Sequence, residues 1–303
     1  MTVPVGRARQ GTYSIVALDA ASGQLGVAVQ SHWFSVGPIV PWALPALGAI
    51  ATQASAEVSY GPRILELLEA GSSAGDALER ALAEDHARET RQVAVVDFDG
   101  QVAVHTGRAC IAHAGHATGA GVSCQANIMA SEAVWPAMLA AFEQASGPLA
   151  ERLLSALDAG EASGGDLRGR QSAALLVVAP DAARWEAEVC LRVEDDAEPL
   201  SELRRLLVLH DAYTLAGEGD RLVGEGAVED AVACYLRAIA LAPDSHELLF
   251  WGGLGLAQSG EIEAGCAQVA RAVELHAPWA DLLRRLPPEL APSAAQVRER
   301  LAH

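Results

Sequence analysis

Between Thr12 and Val193 short apolar strands come in groups, separated by pairs of helices, and few folds accept that order. Residues 12–19 and 24–31 read as strands around an Ala20–Gly23 turn, with Val27 and Val29 alternating onto one face. After the proline-rich stretch, 47–53 reads as another buried strand. Helices follow at 62–70, stopped by Gly71, and at 74–84. Asp99-Gly100 between 92–97 and 101–106 is a hairpin signal. A strand near 121–127 leads into helices at 131–144 and 148–159, and 172–178 with 186–193 form a last strand pair. A doubly wound nucleotide fold alternates single strands with single helices, so it fits poorly. Two sheets stacked face to face and covered outside by helices fit better, an α+β, four-layer αββα sandwich.

From about Glu198 the pattern is helical throughout. Gly226, Glu229, Arg237, Ala238 and Leu241 recur 34 residues later as Gly260, Glu263, Arg271, Ala272 and Leu275. That period, with Ala-Pro near the end of each unit, is the tetratricopeptide signature. The expected organisation is a leader over 1–11, a sandwich domain over 12–210 and a helical-repeat domain over 211–303.

Composition removes several functions. All 21 basic residues are arginine, against 39 acidic ones, for a net charge of −18. Without lysine there is no lysine Schiff base and no phosphate loop ending in Gly-Lys. The acidic balance argues against nucleic acid and anionic membranes as partners. Trp33–Ala56 carries no charge, but Pro38, Pro41 and Pro45 break it, so it reads as buried strands around a turn rather than a membrane span. The five cysteines are odd in number and unpaired in spacing, as in reduced intracellular proteins, and a cytoplasmic location is expected.

Thr12 heads the first strand and follows Gly11. A freed α-amine, with an ordinary pKa near ~7.7–8, would let one residue serve as nucleophile and base. Left uncleaved, Thr12 is a β-branched strand residue. Thr2 becomes terminal on loss of Met1, but Val3-Pro4 follows it outside any strand.

The segments Thr12-Tyr-Ser-Ile-Val-Ala and Leu25-Gly-Val-Ala-Val-Gln-Ser-His-Trp-Phe-Ser-Val-Gly37 resemble the opening of the domain of unknown function 1028 family. So do Val40-Pro-Trp42, Gly48-Ala-Ile-Ala-Thr-Gln53, Ser59-Tyr-Gly-Pro62, His105-Thr-Gly107 and Gly164-Gly-Asp-Leu-Arg-Gly-Arg-Gln-Ser-Ala-Ala174. The resemblance covers roughly residues 11–210 and implies kinship with N-terminal-nucleophile hydrolases, whose αββα fold is that of proteasome subunits. It implies amide-bond hydrolysis without naming a substrate. Members commonly place Met directly before the equivalent of Thr12, whereas ten residues, Thr2 to Gly11, intervene here.

Amide hydrolysis needs donors for an oxyanion, and the side-chain amides of Gln53 and Asn127 are candidates, each with a structural alternative at a strand end or helix entry. Ser31 is a candidate proton relay. His32, Tyr60 and Arg170 are candidates for substrate binding, Arg170 as a carboxylate fork or as a structural partner of Asp166. Asp19 could orient the amine or merely shape its turn. Cys110, His113 and His116, with His105 nearby, have no second ligand pair, so no metal or other cofactor is expected. Gly115–Gly121 is glycine-rich but lacks the lysine of a nucleotide loop.

Two readings of function stand beside each other. One is an amidohydrolase for a small amide or peptide, with Thr12 as nucleophile after removal of residues 1–11. The other is a catalytically silent sandwich whose helical repeats recruit a peptide, a protein or a second copy of the chain. A structural homo-oligomer subunit is a third.

Overall fold

The computed structural model describes residues 11–302, so Thr2 and all of the expected leader but Gly11 lie outside the described residues. The chain divides into two compact units, the first ending at Arg204 and the second beginning at Arg205. The first unit is mixed α/β with antiparallel sheets; the second is helical.

Ten strands build the two sheets of the first unit. β1 (Thr12–Leu18), β2 (Leu25–Ser31), β8 (Val122–Asn127), β9 (Ser172–Val178), β10 (Val189–Val193) and β7 (Gly115–Gly119) make a six-stranded sheet in the order β10-β9-β2-β1-β8-β7. The other sheet runs β3 (Pro41–Leu44), β4 (Gly48–Ala54), β5 (Arg91–Asp97) and β6 (Val102–Thr106). Alternation along each strand decides which sheet face meets which neighbour. Val16, Val27 and Val29 of the larger sheet share one core cluster with Ala49, Ala51, Ala94 and Val96 of the smaller. The out-of-phase residues Ile50, Val93 and Val95 pack instead with α1 (Tyr60–Glu69) and α2 (Ala74–Ala83), through Ile64, Leu68, Ala77 and Leu78. Each fully buried Ile, Leu or Val in these clusters contributes about 1.5–3 kcal/mol.

The larger sheet meets α3 (Val134–Gln144) and α4 (Leu149–Ala162). Gly26 on β2 shows how close α4 comes, since a Cβ there would stand 2.6 Å from the Leu153 side chain. The hairpin at Asp99-Gly100 forms as a turn over Asp97–Gly100 closed by Gly100 at φ +80°, with Gly100 N–H donating to Asp97 O at 3.0 Å.

Two strands correct the sequence reading. Pro41 opens β3, an edge strand inside the supposed turn, where a missing N–H is harmless. Within Gly115–Gly121, the glycine-rich stretch that lacks a nucleotide loop's lysine, Gly115–Gly119 is the edge strand β7.

In the second unit, α6 (Val228–Leu241), α7 (His246–Gln258), α8 (Ile262–Leu275), α9 (Pro278–Arg285) and α10 (Ala294–Leu301) follow α5 (Pro199–Glu225), most of which belongs to this unit. The 34-residue repeat falls on α6 and α8, each of 14 residues. Their core gathers Tyr235, Phe250, Leu254, Val269 and Val297. Among the described residues no helix is long and apolar enough to cross a membrane.

Candidate functional site

Register aligns the site. Thr12 pairs with Ser31 on one side and Asn127 on the other, and Ser31 pairs with Ser172, so four polar residues form one row across the end of the larger sheet. Cross-strand partners share a face, and this row faces the smaller sheet. There Gln53, Gln92 and Thr106 form the opposing row, again in register.

A network of side-chain amides joins the two rows. Gln92 Oε1 accepts from Gln53 Nε2 at 2.8 Å and from Asn127 Nδ2 at 3.0 Å. Gln92 Nε2 donates to Thr106 Oγ1 at 2.9 Å and to the carbonyls of Gly115 and Ala126 at 3.1 and 3.0 Å. Gln53 Oε1 accepts from Ser14, which accepts in turn from Gln125 Nε2 at 2.6 Å. Gln53, Gln92, Gln125 and Asn127 are all buried, and their pairing spares each the penalty of an unmet amide, about 1–3 kcal/mol.

This geometry changes the role expected of two residues. Gln53 Nε2 and Asn127 Nδ2 reach the Thr12 carbonyl at 3.2 and 3.4 Å and are otherwise engaged by Gln92. They hold Thr12 by its backbone instead of standing ready as oxyanion donors.

The peptide carbonyl before Thr12 has its own donors on the other side of the residue. The Gly11 carbonyl accepts a short hydrogen bond from Ser31 Oγ and one of 2.7 Å from Arg168 Nη2. Thr12 Oγ1 lies 3.0 Å from Ser31 Oγ. A hydroxyl has a single proton to donate, and that of Ser31 is committed to Gly11. The Thr12 hydroxyl is therefore the donor to Ser31, and a chain of hydrogen bonds runs from Thr12 through Ser31 to the Gly11 oxygen. Thr12 and Ser31 are both fully buried.

Arg168 is held in place by Asp166. The carboxylate accepts from Arg168 Nη2 at 2.7 Å, from Arg168 Nε at 3.0 Å and from the His32 backbone N–H at 3.1 Å. A Cβ on Gly11 would stand 2.7 Å from Asp166 Oδ2 and 2.8 Å from Arg168 Nη2, so a side chain there would have to displace this ion pair. The loop carrying this pair has glycines at φ +117°, +55° and +104° (Gly164, Gly165, Gly169) and is stitched to β8's exit by Leu167 N–H donating to Ile128 O at 3.0 Å.

The remaining candidates lie outside this arrangement. Arg170 pairs with Glu161 and Glu198, and Asp166 takes Arg168 as its partner instead. The His32 ring sits at 3.3 Å from the Arg170 carbonyl. Tyr60 is buried with the α1–α2 helices, its hydroxyl donating to Asp85; burial pushes its pKa well up, and the Asp85 bond adds to this. Asp19, at the far end of β1, bonds Ser22 and Arg152. His105, His113 and His116 each engage a different oxygen, from Arg88, Met129 and Thr106. Among the described residues no three His, Cys, Asp or Glu side chains converge as metal ligands.

Gln92 and the Asp166–Arg168 pair were not singled out from sequence. Gln92 is an amide just ahead of the apolar run Val93–Val96 of β5, and Asp166 and Arg168 sit in the glycine loop; those are the signals they leave.

Beside Asn127 a cavity of about 260 Å³ opens between the ends of β4 and β8 and the segment 109–111. Two of its lining residues, Ala54 at φ +67° and Ile128 at φ +59°, adopt the left-handed conformation, which is unfavourable for alanine and more so for a β-branched residue. Cys110 lines it too, but burial pushes that thiol up to about 11, which keeps it protonated and unreactive at neutral pH.

A model described as a family of unknown function, DUF1028, matches residues 12–203. The crystal structure of protein SPO2555 from Silicibacter pomeroyi, which carries the same family model, is similar at 32% identity over 65% of this chain and 84% of its own, with a TM-score of 0.61. Anbu (ancestral beta-subunit) from Yersinia bercovieri aligns over 71% of this chain and 96% of its own at 12% identity, with a TM-score of 0.34, too slight a likeness to argue from. No curated protein matches.

Proposed function

We propose, from the premise that the chain belongs to the DUF1028 family, that it is an N-terminal-nucleophile amidohydrolase activated by scission of the Gly11–Thr12 bond. The fold is compatible: two antiparallel sheets meet face to face with helix pairs against their other faces, which we read as the four-layer αββα sandwich.

One observation carries the reading. The Gly11 carbonyl is held by two donors while the Thr12 hydroxyl is bonded to one of them, Ser31. In the proposed step Thr12 Oγ1 attacks the Gly11 carbonyl carbon. Its proton passes to Ser31 as Ser31 gives its own to the Gly11 oxygen, which the permanently charged Arg168 guanidinium polarises. As the tetrahedral adduct collapses, that proton moves on to the Thr12 nitrogen, the C–N bond breaks and the Gly11 acyl group stays on Thr12 Oγ1 as an ester. Water then hydrolyses the resulting ester, leaving Gly11 with a carboxylate and Thr12 with a free amine.

That amine is the base for the second reaction, in which Thr12 Oγ1 attacks the carbonyl carbon of a small amide or peptide. Asp166 and Arg168 border the position that Gly11 vacates. Gln53 and Asn127 are positioning residues, since they hold the Thr12 carbonyl.

The complete burial of Thr12 favours the second reading, a silent sandwich whose helical unit, with its tetratricopeptide-like repeat, recruits a protein partner or another copy of the chain. Intact-mass measurement separates the two. The hydrolase reading expects loss of residues 1–11 from the native chain and a full-length Thr12→Ala variant. A native chain that stays whole under all conditions overturns it and leaves the binding module.

A further inference from the structure

We infer that the cavity beside Asn127 is the acyl-group pocket of this site, and that it takes a compact, uncharged aliphatic group. The inference rests on the hydrolase reading only for the word acyl; the pocket and its chemistry stand on the geometry alone.

Position comes first. Asn127 lines the cavity and is also the register partner of Thr12, whose carbonyl it contacts at 3.4 Å. A group seated in the cavity therefore lies one strand away from the nucleophile.

The strain at its mouth is the second observation. Ala54 and Ile128 close β4 and β8, and both take left-handed φ values that cost free energy. Hydrogen bonds lock both turns: Ser55 N–H donates to Thr90 O, and Ile128 N–H donates to Ile111 O, each at 3.1 Å. Strained turns at two facing strand ends, both lining one cavity, mark a site whose opening is maintained against backbone preference.

The walls define the ligand. Ala54, Ala87, Ala109, Ile111 and Ile128 present methyl and methylene groups. Among the described residues Arg91 is the only charged one in the lining, and it is engaged by Asp85 at 2.7 Å and by the Ser55 carbonyl, with Glu57 at 3.9 Å. Among the described residues an anionic group would thus find no unengaged cation in the lining, and Arg170, bound to Glu161 and Glu198, offers none. A volume of 260 Å³ corresponds to roughly nine waters at about 30 Å³ each. This suits a branched side chain of the leucine or valine class better than an extended peptide.

The test uses two amides of similar size, isovaleramide and succinamate, titrated against the whole chain by saturation-transfer NMR. Binding does not require cleavage, so native protein and the Thr12→Ala variant should both bind isovaleramide and should prefer it to succinamate by roughly tenfold or more. Ala109→Phe, at an exposed rim position, should weaken isovaleramide by a similar factor by filling the cavity. The inference is overturned if isovaleramide fails to bind, if succinamate binds as well or better, or if Ala109→Phe leaves affinity unchanged. Binding by a chain that never loses residues 1–11 would uphold the pocket and refute the hydrolase reading, so the two failures are distinct.

Discussion

Replacing Ser31 by alanine tests the relay most directly. Ser31 makes two hydrogen bonds at the site, donating to the Gly11 carbonyl and accepting from Thr12. In Ser31→Ala the Gly11 oxygen keeps Arg168 at 2.7 Å, but the buried Thr12 hydroxyl loses its acceptor. One unmet buried donor costs about 1–3 kcal/mol of stability. In a unit of this size that lowers the melting temperature by about 2–4 °C for each kcal/mol, so the variant still folds. The effect on scission is larger. Loss of one oxyanion donor slows such reactions about 10²–10³-fold, and the proton path from Thr12 is lost as well. The assay is a time course of intact mass on freshly purified protein, with melting followed in parallel. Scission at the native rate in a folded Ser31→Ala protein would refute both the donor and the relay. Normal folding with slowed scission is the expected result.

Two further predictions concern stability. Burial raises the Asp85 pKa, yet hydrogen bonds from Arg91, the Ala87 N–H and Tyr60 outweigh it and hold the carboxyl below its ordinary value. A carboxylate held low in the folded state contributes stability above its unfolded pKa, near ~3.9, and loses it as pH falls through the folded value. Native protein should therefore lose stability on acidification below about pH 4, and Asp85→Asn should flatten that limb of a melting-temperature profile; an unchanged limb would remove Asp85 from the account. In the helical unit, Gly265→Ala would bring a Cβ to 2.4 Å from the Gly253 carbonyl oxygen and 2.8 Å from the Ala257 nitrogen, both backbone atoms that cannot swing aside. It should lower the melting point despite alanine's better helix propensity, while Gly217→Ala, with nothing within 4 Å, should gain about 0.5–1 kcal/mol. Equal behaviour of the two variants would mean that the α7–α8 approach is not as tight as described.

The strands whose side chains alternate between a core and a helix layer were legible in the sequence because burial imposes a period of two. β2, with Val27 and Val29, and β5, with Val93 and Val95, are of this kind. β3 and β7 were not legible: both are edge strands, half exposed, and composed of residues such as Pro41, Gly115 and His116 that signal turns. At the site, Thr12, Ser31 and Asn127 could be grouped because each ends a strand. Which acceptor an amide finds depends on the opposite sheet, and no local pattern records that. Sequence alone therefore does not show that the Gln53 amide bonds Gln92 and the Thr12 carbonyl, or that Gln92 joins the two rows. Arg168 and Arg170 are two residues apart in one glycine loop; only the loop's course decides that Arg168 meets Asp166 and Gly11 while Arg170 turns to Glu161.

The clamp on the Thr12 carbonyl is made wholly of neutral amides. Nothing in Gln53, Gln92 or Asn127 gains or loses a proton across the range in which proteins survive, and nothing in them is screened by added salt. The grip on the head of β1 is thus indifferent to acidity and to brine, and any pH dependence that Thr12 displays originates outside the clamp.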